Sequence, residues 1–128
     1  MRKKAIFILI IFYSISIVFH ICVVAGFVPD SIVWGGNAKN KNEIYTLETV
    51  SLLLNTIFLV FALILNNTIK INLNYLIKKT MLWLMSALFI INTIGNLLAK
   101  NNLETIIFTP VTFLLSAACL FLAVNKES

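Results

Sequence analysis

Residues 5–28 of the chain read AIFILIIFYSISIVFHICVVAGFV, which is an almost unbroken apolar run. A helix needs about 20 apolar residues to cross a hydrocarbon core about 30 Å thick, so this run predicts a transmembrane helix. It is too long for the apolar region of a signal peptide. His20, the only histidine, lies inside the run at membrane depth. Because ionisable groups are costly there, His20 is a candidate functional residue.

Three further apolar runs, at residues 45–65, 80–98 and 105–124, follow the first. The chain has 128 residues, of which 60% are hydrophobic and only 12% are charged. A soluble domain needs about 25% charged residues, and transmembrane β-strands would be shorter and would alternate. The sequence therefore predicts an all-α, four-helix transmembrane bundle that forms one integral membrane domain over residues 1–128.

The positions of the basic residues predict an orientation in the bilayer. Seven of them precede the first span, separate the second from the third or follow the fourth, while three lie on the opposite side. The first group is Arg2, Lys3, Lys4, Lys70, Lys78, Lys79 and Lys126, and the second is Lys39, Lys41 and Lys100. The positive-inside rule then places both termini in the cytoplasm. No basic stripe typical of nucleic-acid binding is present, and the abundance of Lys, Ile and Asn favours a bacterial inner (cell) membrane.

Each predicted span collects polar residues on a single helix face. Positions three, four and seven apart share a face, and lipid cannot satisfy polar groups there, so the four faces are predicted to point at one another. The residues are Tyr13, Ser16 and His20 in the first span, Glu48, Ser51 and Asn55 in the second, Asn92, Gly95 and Asn96 in the third, and Thr105, Thr109, Thr112 and Ser116 in the fourth.

Most of these polar residues fall in the outer half of their helices, which predicts a polar pocket that opens to the outer side. Such a pocket would bind a small molecule, a lipid headgroup or an ion. At 1.5 Å per residue, Asn55, Asn92 and Thr112 lie closest in depth to His20. Direct contact between His20 and Glu48 stays open. The candidate pocket residues are His20, Glu48, Ser51, Asn55, Asn92, Asn96, Thr109 and Thr112.

A structural role is the alternative to a binding pocket. Polar residues in membrane helices often only hold helices together, at about 0.6 kcal/mol per hydrogen bond. The small residues Ser116, Ala117 and Ala118 would also let another helix approach closely. On this interpretation the protein is a structural or accessory subunit, and its partner is a second copy or another membrane protein.

The residues give little support for an enzymatic reaction or for a metal site. One histidine and one glutamate fall short of the three or four ligands that zinc takes, so no metal or other cofactor is expected. Cys22 and Cys119 lie at different depths, whereas disulfide-bonded Cα atoms lie within about 7 Å. No nucleophile or second acid is clearly placed beside His20. A membrane enzyme that uses His20 as a general base therefore ranks below binding and assembly.

The loop after the first span carries Pro29, Trp34, Gly35 and Gly36. Pro29 is predicted to end the helix, Trp34 lies at interfacial depth, and the glycine pair permits a turn. Two interpretations stay open for this loop. It is either an aromatic anchor with a turn, or a lid in which residues 32–34 fold back over the mouth of the bundle.

The pattern Pro29-x-x-x-x-Trp34-Gly35-Gly36, followed by Glu48-x-x-Ser51-x-x-x-Asn55, resembles a family of small four-span bacterial membrane proteins whose function is uncharacterised. The resemblance covers roughly the first half of the chain. It implies a four-helix inner-membrane fold and no biochemistry.

The predicted orientation can be tested with single cysteines at the two ends of the bundle. Asn40→Cys and Lys78→Cys would each be made in a background without Cys22 and Cys119. In intact cells an impermeant maleimide should label position 40 and reach position 78 only after the membrane is permeabilised. The reverse pattern would place the termini outside the cell and the polar pocket on the cytoplasmic side.

Overall fold

The computed structural model describes residues 1–125, and the last three residues, including Lys126, lie outside this part. The chain forms four helices with short connections, and all four helical segments are long and apolar enough to cross a membrane. The predicted all-α four-helix bundle is confirmed, and the chain has the build of a small multi-pass membrane protein. The helices are α1 (Arg2–Val24), α2 (Lys41–Leu65), α3 (Tyr75–Leu97) and α4 (Thr109–Val124), with a π-helical turn (Glu104–Phe108) before α4.

The two ends of the bundle differ in what they carry. The α1–α2 and α3–α4 connections lie at one end, which we call the lid end. The start of the chain, the α2–α3 connection and the end of α4 lie at the other, which we call the terminal end. There the Arg2 guanidinium donates hydrogen bonds to the carbonyls of Leu122 (3.2 Å) and Asn125 (3.1 Å). That the terminal end faces the cytoplasm stays a prediction.

Helix α1 ends about one turn before the predicted boundary. Gly26 adopts φ +84°, and the N–H of Phe27 bonds back to the carbonyl of Cys22 at 3.0 Å. This is a Schellman cap, which glycine permits because it has no Cβ. Gly26 therefore ends α1, and the prediction that Pro29 does so was wrong.

Helices α2 and α3 both begin about one turn earlier than predicted. The side-chain oxygen of Asn40 accepts a hydrogen bond from the N–H of Glu43 at 2.9 Å, which caps α2. The side chain of Asn74 caps α3 in the same way at 3.0 Å. These caps extend each helix beyond its apolar run, so the helices are longer than hydropathy alone indicates.

The apolar core is centred on Tyr13, which has no exposed surface. Its ring lies 5.8 Å from that of Phe58 and 5.9 Å from that of Phe89, so it joins α1, α2 and α3. The Tyr13 hydroxyl lies beside the Cys119 thiol of α4, although no hydrogen bond of good geometry reaches it. Tyr13 therefore serves mainly to pack the core, although it belongs to the polar face predicted for the first span.

Hydrogen bonds between side chains and backbone join α3 to α4. The hydroxyl of Ser86 contacts the carbonyl of Ser116 at 3.1 Å, and the hydroxyl of Ser116 contacts the carbonyl of Ser86 at 3.2 Å. Nearer the lid end, Thr93 (3.0 Å) and Asn96 (3.3 Å) both contact the hydroxyl of Thr112. The polar faces of these two helices are thus used to hold them together.

Pro110 gives the start of α4 an irregular backbone. Proline lacks the N–H that would bond four residues back, and its ring crowds the preceding turn. The chain widens there into the π-helical turn Glu104–Phe108 before regular α-helix begins at Thr109. Such turns occur where the regular ladder of hydrogen bonds is interrupted. Glu104, the first residue of this turn, is buried, with only 7% of its surface exposed.

Candidate functional site

The candidate site is a buried carboxylate held by a histidine and a tryptophan. Glu48 on α2 has no exposed surface. Its Oε2 lies 2.6 Å from Nδ1 of His20 on α1, and its Oε1 accepts a hydrogen bond from Nε1 of Trp34 at 2.8 Å. Both carboxylate oxygens therefore have a nitrogen partner, which is what burial of an acidic group requires.

The geometry assigns a role to each ring nitrogen of His20. An ionised carboxylate only accepts hydrogen bonds, so with Glu48 charged the hydrogen at this contact is on Nδ1. The other nitrogen, Nε2, has no hydrogen-bond partner among the described residues, and the His20 side chain is 15% exposed. Nε2 is thus the polar atom of this pair that a proton or a ligand can reach when the site is closed.

The His20–Glu48 contact follows from the positions of the two helix ends. On the predicted boundaries Glu48 lay only about 4–5 Å below the start of its helix and His20 about 13 Å from the end of its own. In the structure α2 begins at Lys41 and α1 ends at Val24. The depths become about 10 Å for Glu48 and about 6 Å for His20. The two side chains therefore meet, and His20 pairs with Glu48 rather than with Asn55, Asn92 or Thr112.

Residues 29–37 form a lid over this end of the bundle. The lid consists of two short 3₁₀ turns, Asp30–Ile32 and Trp34–Gly36, joined by Val33. Val33 is 3% exposed and packs against Val23 of α1 and Ile44 of α2. Of the two interpretations of this loop, the structure therefore has the one in which it folds back over the mouth.

The lid also reaches the opposite pair of helices. The side-chain amide of Asn101, in the α3–α4 connection, contacts the carbonyl of Ser31 at 3.4 Å. A Cβ added to Gly36 would lie 3.9 Å from the side chain of Lys100. The lid therefore crosses the lid end from the α1–α2 side to the α3–α4 side.

The backbone of the lid is held in an unusual conformation at Trp34. This residue adopts φ +55°, in the left-handed region that non-glycine residues rarely enter. Gly36 nearby adopts φ +70° at no such cost. A strained backbone persists only where surrounding contacts over-determine it. At Trp34 those contacts are the hydrogen bond to Glu48 and the apolar packing of its neighbours.

Aromatic rings connect the site to the π-helical turn. The Phe19 ring lies 5.6 Å from the imidazole of His20 and 5.5 Å from the ring of Phe108, edge to face in both cases. Glu104 in the same turn is buried and engaged by other groups. The predicted fourth span begins at residue 105, so Glu104 lay outside it and its burial was not predicted. The sequence feature that could have indicated this burial is the position of an acidic residue directly before an apolar run that contains a proline.

The other predicted pocket residues do not join this network. Asn55 donates to the carbonyl of Ser51 at 2.7 Å, one turn back on α2. Asn96 and Thr112 belong to the α3–α4 contact described above. Asn92 is exposed on the outside of α3. The hydroxyl of Thr109 is buried and has no hydrogen-bond partner among the described residues. The predicted pocket residues therefore do not line one pocket. His20 and Glu48 form one site, Asn96 and Thr112 help to join α3 to α4, and the remaining residues belong to neither group.

Comparisons of the chain with protein-family models, with curated proteins and with solved structures find no match. No relative indicates what the site binds, so its geometry is the only guide to its chemistry. Within residues 1–125 no group of three or more His, Cys, Asp and Glu side chains could hold a metal ion. What the site offers is a desolvated carboxylate with one donor from a helix and one from a lid. If the lid donor leaves, the carboxylate needs another hydrogen-bond donor in its place.

Removal of the Trp34 N–H should destabilise the protein. Trp34→Phe keeps an aromatic ring but leaves Oε1 of Glu48 without its donor, which should lower the free energy of unfolding by about 1–3 kcal/mol. Trp83→Phe is the matched control, because Trp83 is 47% exposed and should change stability by no more than about 0.5 kcal/mol. Unfolding in mixed micelles measures both. Equal stability of the two variants would contradict a structural role for the Trp34–Glu48 bond.

Proposed function

We propose that this multi-pass membrane protein binds a small polar ligand at the lid end, in a pocket centred on Glu48 and His20. The ligand is a small molecule, a lipid headgroup or an ion, and the pocket opens to the outer side of a bacterial cell membrane when the lid lifts. The observation that carries the proposal is the fully buried Glu48 carboxylate with a donor supplied by a lid residue. Buried ionisable groups in membrane helices commonly mark ligand or ion sites.

The lid supports the proposal because its Trp34 occupies a place that a ligand can take. When the lid lifts, Oε1 of Glu48 loses the indole N–H while Oε2 keeps its contact with His20. The freed oxygen then needs a donor, and a ligand with an N–H group supplies one at similar geometry. The positive φ at Trp34 lowers the cost of opening, because the strain is released when the residue leaves its place.

The fluorescence of Trp34 provides a direct test. The chain has two tryptophans, so Trp83→Phe leaves Trp34 as the only one. Ethanolamine hydrochloride, which carries N–H donors, would be titrated against the purified protein, with sodium chloride at equal ionic strength as the reference. Displacement of Trp34 into water should give a saturable red shift of its emission. Glu48→Gln in the same background should weaken the response about tenfold or more, because hydrogen bonds to charged groups are the stronger ones.

Glu43→Gln is the control for this experiment. Glu43 is an acidic residue on the same helix, but it is exposed, and it should leave the titration unchanged. The proposal fails if ethanolamine gives no saturable shift beyond that of sodium chloride. It also fails if Glu48→Gln and Glu43→Gln respond alike, because the carboxylate would then take no part in binding.

A structural or accessory role is the second candidate, and one observation favours it. Asn92 is exposed on α3 at a depth where lipid surrounds the helix, and no described residue bonds to it. Gly95, one turn further along α3, has open space around it. An amide beside a glycine is the kind of surface on which a second membrane helix packs. The partner is a second copy of the chain or another membrane protein.

The assembly role can be tested by substitution of Asn92. Asn92→Leu should weaken self-association or partner association about threefold to thirtyfold, since an interhelical hydrogen bond contributes about 0.6–2 kcal/mol. Thr56→Leu is the matched control, because Thr56 is also exposed but its hydroxyl bonds to the carbonyl of Leu52 at 2.7 Å. Chemical cross-linking in membranes followed by native mass spectrometry measures both. A monomer without partners, in the wild type as in the variants, would exclude this role.

A further inference from the structure

The Trp34 side chain of the lid occupies the candidate site as a ligand would. Its Nε1–H donates to Oε1 of the buried Glu48 at 2.8 Å, and this nitrogen is the only polar atom of the indole, a donor that does not accept. The rest of the side chain is apolar and partly buried, and it packs against the cluster formed by Val23, Val33 and Ile44. The place that the indole occupies therefore combines one hydrogen-bond acceptor with an apolar surface.

Most of the residues around the indole stay in place when the lid lifts. Glu48 and Ile44 belong to α2, and Val23 belongs to α1. Phe19 of α1 packs against the same apolar cluster and adds an aromatic ring to it. Of the buried members of the cluster, only Val33 leaves with the indole, because it is part of the lid. The helices thus keep an acceptor and an apolar surface where the indole lay.

The contact made by Trp34 is also one that a separate molecule can replace. Trp34 adopts φ +55°, which is costly for a residue that has a Cβ. A molecule that is not joined to the lid can place the same ring and the same donor there without this backbone strain. The lid therefore holds the indole less tightly than the contacts of the ring alone would indicate.

The two kinds of contact made by Trp34 discriminate among possible ligands. An apolar molecule without a donor would leave Oε1 of Glu48 buried and unpaired, which is a costly outcome. An ammonium such as that of ethanolamine pairs with Oε1 but covers little of the apolar surface. An anion has no favourable contact with a charged carboxylate, which only accepts hydrogen bonds. A flat ring that carries an N–H group matches both parts of the site.

We propose that the ligand of the Glu48 site is a small molecule with an indole-like ring, whose N–H group replaces that of Trp34 on Oε1 of Glu48. This inference rests on the proposed function, and it selects the small molecule among the three kinds of ligand named there. Trp34 is then an internal competitor that fills the site until such a molecule displaces it. The apparent affinity for the ligand is reduced by the fraction of protein whose lid is open.

Replacement of Trp34 by glycine tests the proposal, because glycine accepts the positive φ at this position and removes the competing ring. Binding of 5-fluoroindole to the purified protein would be followed by fluorine NMR, with empty detergent micelles as the reference. Trp34→Gly should bind 5-fluoroindole about tenfold more tightly than wild type, since the lid no longer competes. The analogue 5-fluoro-1-methylindole lacks the N–H group, so it should bind Trp34→Gly about tenfold more weakly than 5-fluoroindole does.

Two further variants serve as controls. Trp83→Ala removes the exposed tryptophan of α3 and should bind 5-fluoroindole as wild type does. Glu48→Gln in the Trp34→Gly background should reduce the preference for 5-fluoroindole over its methylated analogue, because hydrogen bonds to charged groups are stronger. If Trp34→Gly loses helix content by circular dichroism, recovery of that content with 5-fluoroindole, and not with the methylated analogue, is the equivalent test.

Equal binding of the two indoles to Trp34→Gly would overturn the proposal, as would saturable binding of neither, because Glu48 would then not select a ring with an N–H group. If ethanolamine still gives its saturable response in either case, the proposed function stands and only this inference falls. If 5-fluoroindole binds Trp34→Gly but not wild type, the lid does not open, and the proposed function falls together with the inference.

Discussion

The Glu48 carboxylate imposes the strongest constraint on this structure, because it is fully buried and needs a donor on each oxygen. One donor comes from His20 on α1 and the other from Trp34 in the lid. These two bonds fix how α1 lies against α2, how far the lid folds back, and why Trp34 tolerates a positive φ. Apolar packing through Val33 and the contact of Asn101 with the carbonyl of Ser31 also hold the lid in place.

The polar residues of the bundle serve two different purposes. Between α3 and α4, serine and threonine side chains satisfy one another and nearby carbonyls, so their groups are used up in helix packing. At the Glu48 site, by contrast, the hydrogen bonds link the lid, which is part of a connection, to α1 and α2. In the proposed function only the second arrangement changes, because lifting the lid would leave the helices in place.

Much of the fold could be predicted from hydropathy, and the errors have a common cause. Apolar runs located all four helices, because the hydrocarbon core demands about 20 apolar residues from each. Their ends were displaced by about a turn, since Asn40, Asn74 and Gly26 set them through local caps that hydropathy does not register. That displacement put His20 and Glu48 at different depths, and for this reason their contact could not be predicted.

The sequence alone determined that the chain is a four-helix membrane protein and that His20 and Glu48 are its unusual residues. Long apolar runs, and ionisable residues within them, can be recognised from the order of residues along the chain alone. The pairing of Glu48 with Trp34, the burial of Glu104 and the division of the polar faces depended on the tertiary structure. These features join residues from different elements, and the distance between such residues depends on helix ends and helix packing rather than on spacing along the chain.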